Sequence, residues 1–250
     1  MEINFVKPYL NEIQKLSALL WQKGWAERNA GNFSIRLTHF PIEILSMFSN
    51  KETKLEHSFH SIKGDLFLVK GKNTRMRDLA ENPIEGTGLL LVTESGKTCK
   101  MISLSSMFDD FIATSEIESH LLLQQFLKEQ NREDVAVLHT HPYELIVLSH
   151  HQPLQEETRI NHVLFAMHPE VKFLLPQGVG FVPFEIPGSN ELALKSLDSL
   201  QSHNVILWEK HGSLAVGKTL NDAFDRIDLI NQAAKIYLGC KQAGFKEDFR

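Results

Sequence analysis

His139 and His141 stand two residues apart in Val135-Ala136-Val137-Leu138-His139-Thr140-His141, a run that reads as a strand. Residues at i and i+2 of a strand share a face, so both imidazoles can reach one metal ion. His211, in Glu209-Lys210-His211-Gly212, also ends a strand, and the Gly and Ser after it allow close backbone approach to a site. Three neutral imidazoles leave most of the charge of a zinc ion uncompensated and coordination positions open, which suits a Lewis acid that takes substrate oxygens. Two solvated or core-satisfied histidines give the same H-x-H spacing, so the pair alone does not separate the readings.

A metal that polarises a carbonyl still needs a base, and Glu116 and Glu170 are the candidates. Glu116 falls in the first turn of a predicted helix, where the dipole favours a carboxylate; ordinary helix-start preference explains it equally well. Glu118, three residues after Ser115, fits a capping box, and His120 fits a helix-face histidine. Glu170 follows Pro169 just before a predicted strand and by itself is a loop carboxylate. Asn29, Gly31 and Asn32 form a polar turn whose amides suit a phosphate or sugar hydroxyl, although a turn without function has the same composition. Gly71-Lys72-Asn73-Thr74 could hold an anion, with Lys72 as the cation.

The elements that must position these groups follow from periodicity. Apolar residues at Leu10, Ile13, Leu16, Leu19 and Leu20 predict a helix from Pro8, closed by Gly24. Phe33 to Leu37 and Asp65 to Lys70 read as strands, and Thr87 to Leu104 as a hairpin turning at Glu94-Ser95-Gly96-Lys97. A helix over Glu116 to Gln130 precedes the histidine strand; later helices are expected near Glu157 to Ala166, from Ser189 to His203, and over Leu220 to Leu238. Thr38 to Ser61 carries mixed signals. No linker or repeat divides the chain, so one domain over 1–250 is expected. Its class is α/β with three layers: a central, mostly antiparallel sheet covered by helices on both faces.

Composition narrows the partners. The chain has 250 residues, 42% of them hydrophobic, a formal charge of −5 and no basic block. Nucleic acid and acidic membrane are thereby disfavoured, and a small molecule is the expected partner. Two cysteines without ligand spacing fit a reducing compartment, and the start lacks the basic and apolar regions of a leader, so a cytoplasmic protein is expected.

Gly24-Trp25-Ala26-Glu27-Arg28-Asn29-Ala30-Gly31-Asn32, Thr114-Ser115-Glu116, His139-Thr140-His141, Pro176-Gln177-Gly178-Val179-Gly180 and Trp208 to Gly212 together resemble class II aldolases of the aldolase/adducin group. The resemblance runs in order over nearly the whole chain. It implies an α/β fold, a homotetramer with the active site near a subunit interface, and zinc held by His139, His141 and His211. It also implies Glu116 as acid/base residue, Glu170 as a second carboxylate near the aldehyde end, and Asn29, Gly31, Asn32 and Ser115 around the phosphate and hydroxyls of a sugar phosphate. The family usually places a G-S-G phosphate loop where this chain has Gly71-Lys72-Asn73, so here Lys72 is expected to supply charge in place of close backbone approach. A dehydratase or epimerase on the same fold, or a non-catalytic adducin-like assembly module, is the alternative.

Overall fold

The structure, a computed structural model, describes residues 4–105 and 110–245; the rest of the expected 1–250 domain lies outside the described residues. In chain order the main elements are α1 (Lys7–Gln22), β1 (Asn32–Leu37), β2 (Thr53–Lys54), β3 (Leu66–Lys70), α2 (Met76–Glu81), β4 (Thr87–Val92), β5 (Thr98–Ser103) and α3 (Ile117–Glu129). They continue with β6 (Ala136–Thr140), α4 (Tyr143–Ser149), α5 (Glu157–Met167), α6 (Pro169–Leu174), β7 (Gly180–Val182), α7 (Asn190–Leu200), β8 (Val205–Trp208), β9 (Gly212–Gly217) and α8 (Leu220–Gln242).

The strands form a mixed sheet in the order β2-β5-β4-β3-β1-β6-β9-β8-β7. Among the described residues every pairing is antiparallel except that of β7 with β8. Alternation divides the side chains between the two faces of the sheet. Leu66 and Leu68 of β3 pack in one cluster with residues of α1 and α8, while Phe67 and Val69 pack in another with Leu121 of α3. Val137 of β6 meets Leu123 and Leu127 on that same side. With both faces covered, the central strands read as continuous apolar runs rather than a clean alternation.

Local chemistry sets the boundaries. In α1, Pro8 occupies the first turn, Leu10, Ile13, Leu16 and Leu20 are buried at helical spacing, and Gly24 ends the run at φ +71°. The hairpin forms as expected from β4 and β5. Two expectations are corrected. Val171 to Leu175 is not a strand: Pro169, with its φ already helical, starts α6 instead. The capping box is not made either. Glu116, not Ser115, flanks α3, no side chain caps it, and Glu118 accepts from the Glu56 N–H at 2.8 Å and pairs with His57 at 3.2 Å. The Thr114 N–H is drawn to the Lys70 carbonyl at 3.0 Å, which ties this segment to the sheet rather than to its own helix.

Candidate active site

The topology gathers the candidate groups at one end of four neighbouring strands. β3 and β6 run antiparallel to β1, and β9 antiparallel to β6, so Lys70, Asn32, His139 and Gly212 all lie at the same end. Asn32 is the register partner of His139, which places both side chains on one face. The Thr140 hydroxyl and the His141 N–H both donate to the Trp25 carbonyl, at 2.6 and 2.9 Å, docking the Trp25–Glu27 segment on the end of β6.

His139, His141 and His211 converge, with one nitrogen of each within 4.8 Å of those of the others. Ring centroids are 5.1 Å apart for His139 and His141, 4.8 Å for His139 and His211, and 5.3 Å for His141 and His211. His139 Nδ1 donates to the Ser213 carbonyl at 3.0 Å, and His141 Nδ1 pairs with Glu27 Oε1 at 2.8 Å, so Nε2 of each is left to offer its lone pair to a metal. His211 Nδ1 is buried and, among the described residues, has no hydrogen-bond partner. Burial, reinforced by His141 and His211, holds the His139 pKa well below the ordinary value. Burial and His141 bring that of His211 down to about 4, against an opposing pull from Glu27. Two imidazoles held neutral by burial, a third oriented beside them, and a buried nitrogen without a partner among the described residues fit a divalent metal.

Gly212 keeps this arrangement close. A Cβ there would lie 2.6 Å from the Thr140 carbonyl oxygen, 2.9 Å from His141 Cδ2 and 3.0 Å from His139 Cε1. The backbone oxygen cannot swing away, so Gly212→Ala must part β9 from β6 or displace the rings. Its metal affinity, measured by competition with a chromophoric chelator, is expected to fall ~10-fold or more, the scale on which disturbed ligand orientation acts. Unchanged affinity would refute this close approach.

Glu116 stands beside the triad at the head of a polar seam. Glu116, His120 and Gln124 are spaced at i, i+4 and i+8, over Asn32 and Ser34 on β1. Gln124 Nε2 donates to Ser34 Oγ at 3.0 Å, and His120 Nδ1 lies 3.0 Å from that same oxygen. His120 Nε2 lies 2.5 Å from Asn32 Oδ1, while Asn32 Nδ2 donates to Glu116 Oε2 at 2.7 Å. The Asn32 amide thus faces His120 with its acceptor and Glu116 with its donor. Sequence reasoning expected the helix start to favour an ionised Glu116. Burial instead raises its pKa, against opposing pulls from the Asn32 hydrogen bond, His141 and Lys70.

Burial holds the His120 pKa down to about 3, so the ring is neutral in the fold. The unfolded chain takes up that proton near 6.5. The contribution is therefore intact above pH 6.5 and is lost progressively as pH falls toward 3, by up to ~1.4 kcal/mol per pH unit. Denaturant titrations between pH 7 and 4 should show a steeper loss of stability for the wild type than for His120→Gln. Equal slopes would contradict a neutral, buried His120.

A cleft of about 170 Å³ opens onto these groups. Besides the triad, Asn29, Gly31, Asn32, Ser115, Glu116 and Lys72 line it. Gly31, at φ +75°, brings its loop toward the His139 carbonyl, 3.3 Å from where a Cβ would lie. Glu170 is not brought in: it is exposed on α6 and is not part of the lining. Sequence reasoning missed Lys70, which lines the cleft, is 2% exposed and donates to the Asn29 carbonyl at 3.0 Å. Its signal was a lysine closing the buried strand Leu66-Phe67-Leu68-Val69, on the core face of Leu66 and Leu68.

Residues 11–238 match the Class II Aldolase and Adducin N-terminal domain family, and the chain belongs to it. It is an enzyme of the class II aldolase type, a carbon–carbon lyase. It is 38% identical over 242 residues to a rhamnulose-1-phosphate aldolase of Bacteroides thetaiotaomicron, an alignment covering 96% of this chain and 88% of that protein. A rhamnulose-1-phosphate aldolase of Enterococcus faecalis is 28% identical, with 96% and 86% covered. The crystal structure of a sugar-phosphate aldolase from Thermotoga maritima superposes with a TM-score of 0.83 at 31% identity, covering 99% of this chain and all of that one.

Proposed function

We propose that this protein is a zinc-dependent aldehyde-lyase that cleaves L-rhamnulose 1-phosphate to dihydroxyacetone phosphate and L-lactaldehyde. The observation that carries this reading is the meeting of three imidazoles, two of them held neutral by burial, with Glu116 in one polar cleft. Zinc held by His139, His141 and His211 would supply a Lewis acid that draws electron density from the ketose oxygens.

The chain's own groups do the rest. Retro-aldol cleavage between C3 and C4 takes a proton from the C4 hydroxyl and delivers one to C3. Glu116 is assigned to proton transfer in this reaction, because its raised pKa brings the carboxyl closer to neutral pH, where both taking and giving a proton are feasible. Asn32, oriented by His120, fixes the Glu116 carboxylate through its amide. Asn29, Gly31 and Ser115 offer backbone and side-chain donors for the phosphate and hydroxyls. Glu170, assigned to the aldehyde end, is exposed on α6. In the homotetramer proposed here it would reach a cleft from a neighbouring subunit. The chain acts as one domain, in the cytoplasm, within rhamnose catabolism.

The test is a coupled assay for dihydroxyacetone phosphate with rhamnulose 1-phosphate and fuculose 1-phosphate, before and after chelation. Activity with the first sugar, lost on chelation and restored by zinc, is expected. Silence with both removes the assignment. The Gly71-Lys72-Asn73 loop favours one second reading, a dehydratase or epimerase on the same site; such an enzyme would transform the sugar without releasing dihydroxyacetone phosphate.

A further inference from the structure

We infer that Lys70, rather than Lys72, is the cation that holds the phosphoryl group of a ligand in the cleft, an inference that rests on the sugar-phosphate reading above. Lys70 closes β3 at a core position, 2% exposed, lines the cleft, and points its ammonium at the carbonyl of Asn29 in the Asn29–Asn32 turn. An ammonium carries three N–H donors. One goes to the Asn29 carbonyl at 3.0 Å, and among the described residues the other two have no hydrogen-bond partner. Lys72, two residues on, is exposed on the loop, where water and salt screen its charge and its long side chain must be ordered on binding. A buried ammonium pays neither cost, and a charge-assisted bond to an anionic oxygen is strong where water is excluded. Burial also brings the Lys70 pKa down to about 8, against an opposing pull from Glu116. An arriving anion would supply the countercharge that the fold provides only in part.

Three turns contribute polar residues to the same cleft: Asn29, Asn73 and Ser115 line it together with Lys70. The chain therefore puts a desolvated charge where its loop carries Lys72-Asn73, and the bulk of that loop no longer has to approach the phosphate.

Titration calorimetry of the chelated protein with inorganic phosphate tests this, because it needs neither metal nor turnover. Lys70→Gln keeps a donor for the Asn29 carbonyl and removes the charge; Lys72→Gln removes the exposed charge. Wild type should bind phosphate, Lys70→Gln ~10-fold or more weakly, and Lys72→Gln within about twofold of wild type, since only the first loses a buried charged donor, whereas the charge lost in the second is exposed and screened. Zinc uptake equal to wild type in both variants certifies an intact fold. If Lys70→Gln fails that check, Lys70→Arg, which keeps the charge, replaces it and must retain phosphate binding. No phosphate binding by wild type, an unchanged Kd in Lys70→Gln, a larger loss in Lys72→Gln, or loss of binding in Lys70→Arg overturns the inference. An enzyme silent with rhamnulose 1-phosphate that still binds phosphate through Lys70 would sink the substrate assignment and leave this inference standing.

Discussion

Glu116→Gln retains its fold and its metal and loses ~100- to 10,000-fold in kcat, the range that a positioned acid/base group supplies. Glutamine has nearly the same shape, and its carbonyl can still accept from Asn32 Nδ2, so the seam through His120, Ser34 and Gln124 stays joined. Only the capacity to carry a proton is gone. The effect should therefore fall on kcat, with KM for the sugar phosphate little changed, because Glu116 is assigned to the reacting centre and not to the phosphate. Steady-state kinetics beside a zinc determination on the same preparation give the answer. A variant that turns over within a few-fold of wild type would reduce Glu116 to a helix-start residue.

His211→Ala is the second large effect, and it acts on the metal. His139 lies in β6 and His141 one residue past its end, but His211 arrives from the turn between β8 and β9 and is the group that makes a pair into a triad. Its loss should lower zinc affinity by more than ~100-fold, beyond the cost of disturbing a group that only orients a ligand. Activity should fall with metal occupancy and return in part at high zinc. Chelator competition together with the aldolase assay across zinc concentrations separates loss of metal from loss of fold. Wild-type zinc affinity in this variant would exclude His211 from the site.

The sequence and the fold agree where period and chemistry coincide. His139 and His141 were legible because the apolar residues before them mark a strand and the i, i+2 spacing suggests one face; the strand ends at Thr140, and the His141 N–H is held by the Trp25 carbonyl. His211 was legible as a strand end followed by glycine; that Gly212 lies against the Thr140 carbonyl is a tertiary fact that no spacing encodes. Glu116 was ambiguous because a carboxylate at a helix start serves capping and catalysis alike, and only the sheet-bound Thr114 N–H shows that the segment faces the cleft. Lys70 was passed over because a lysine at a strand end is ordinarily solvated; its burial comes from loops far apart in the chain. Val171-Lys172-Phe173-Leu174-Leu175 has strand-like composition, but Pro169 starts a short helix there, and it leaves Phe173 and Leu174 exposed. His120, read as a helix-face histidine, is a neutral, fully buried link that sets the orientation of Asn32.

The measurement that bears most directly on the account is equilibrium dialysis of the chelated protein against zinc, with the wild type and a His139→Ala/His211→Ala double variant side by side. The wild type should take up one zinc ion per chain, and the double variant none at the same free concentration. A wild-type chain that stays empty, or a double variant that fills as readily, would contradict the claim that these imidazoles hold one ion beside Glu116.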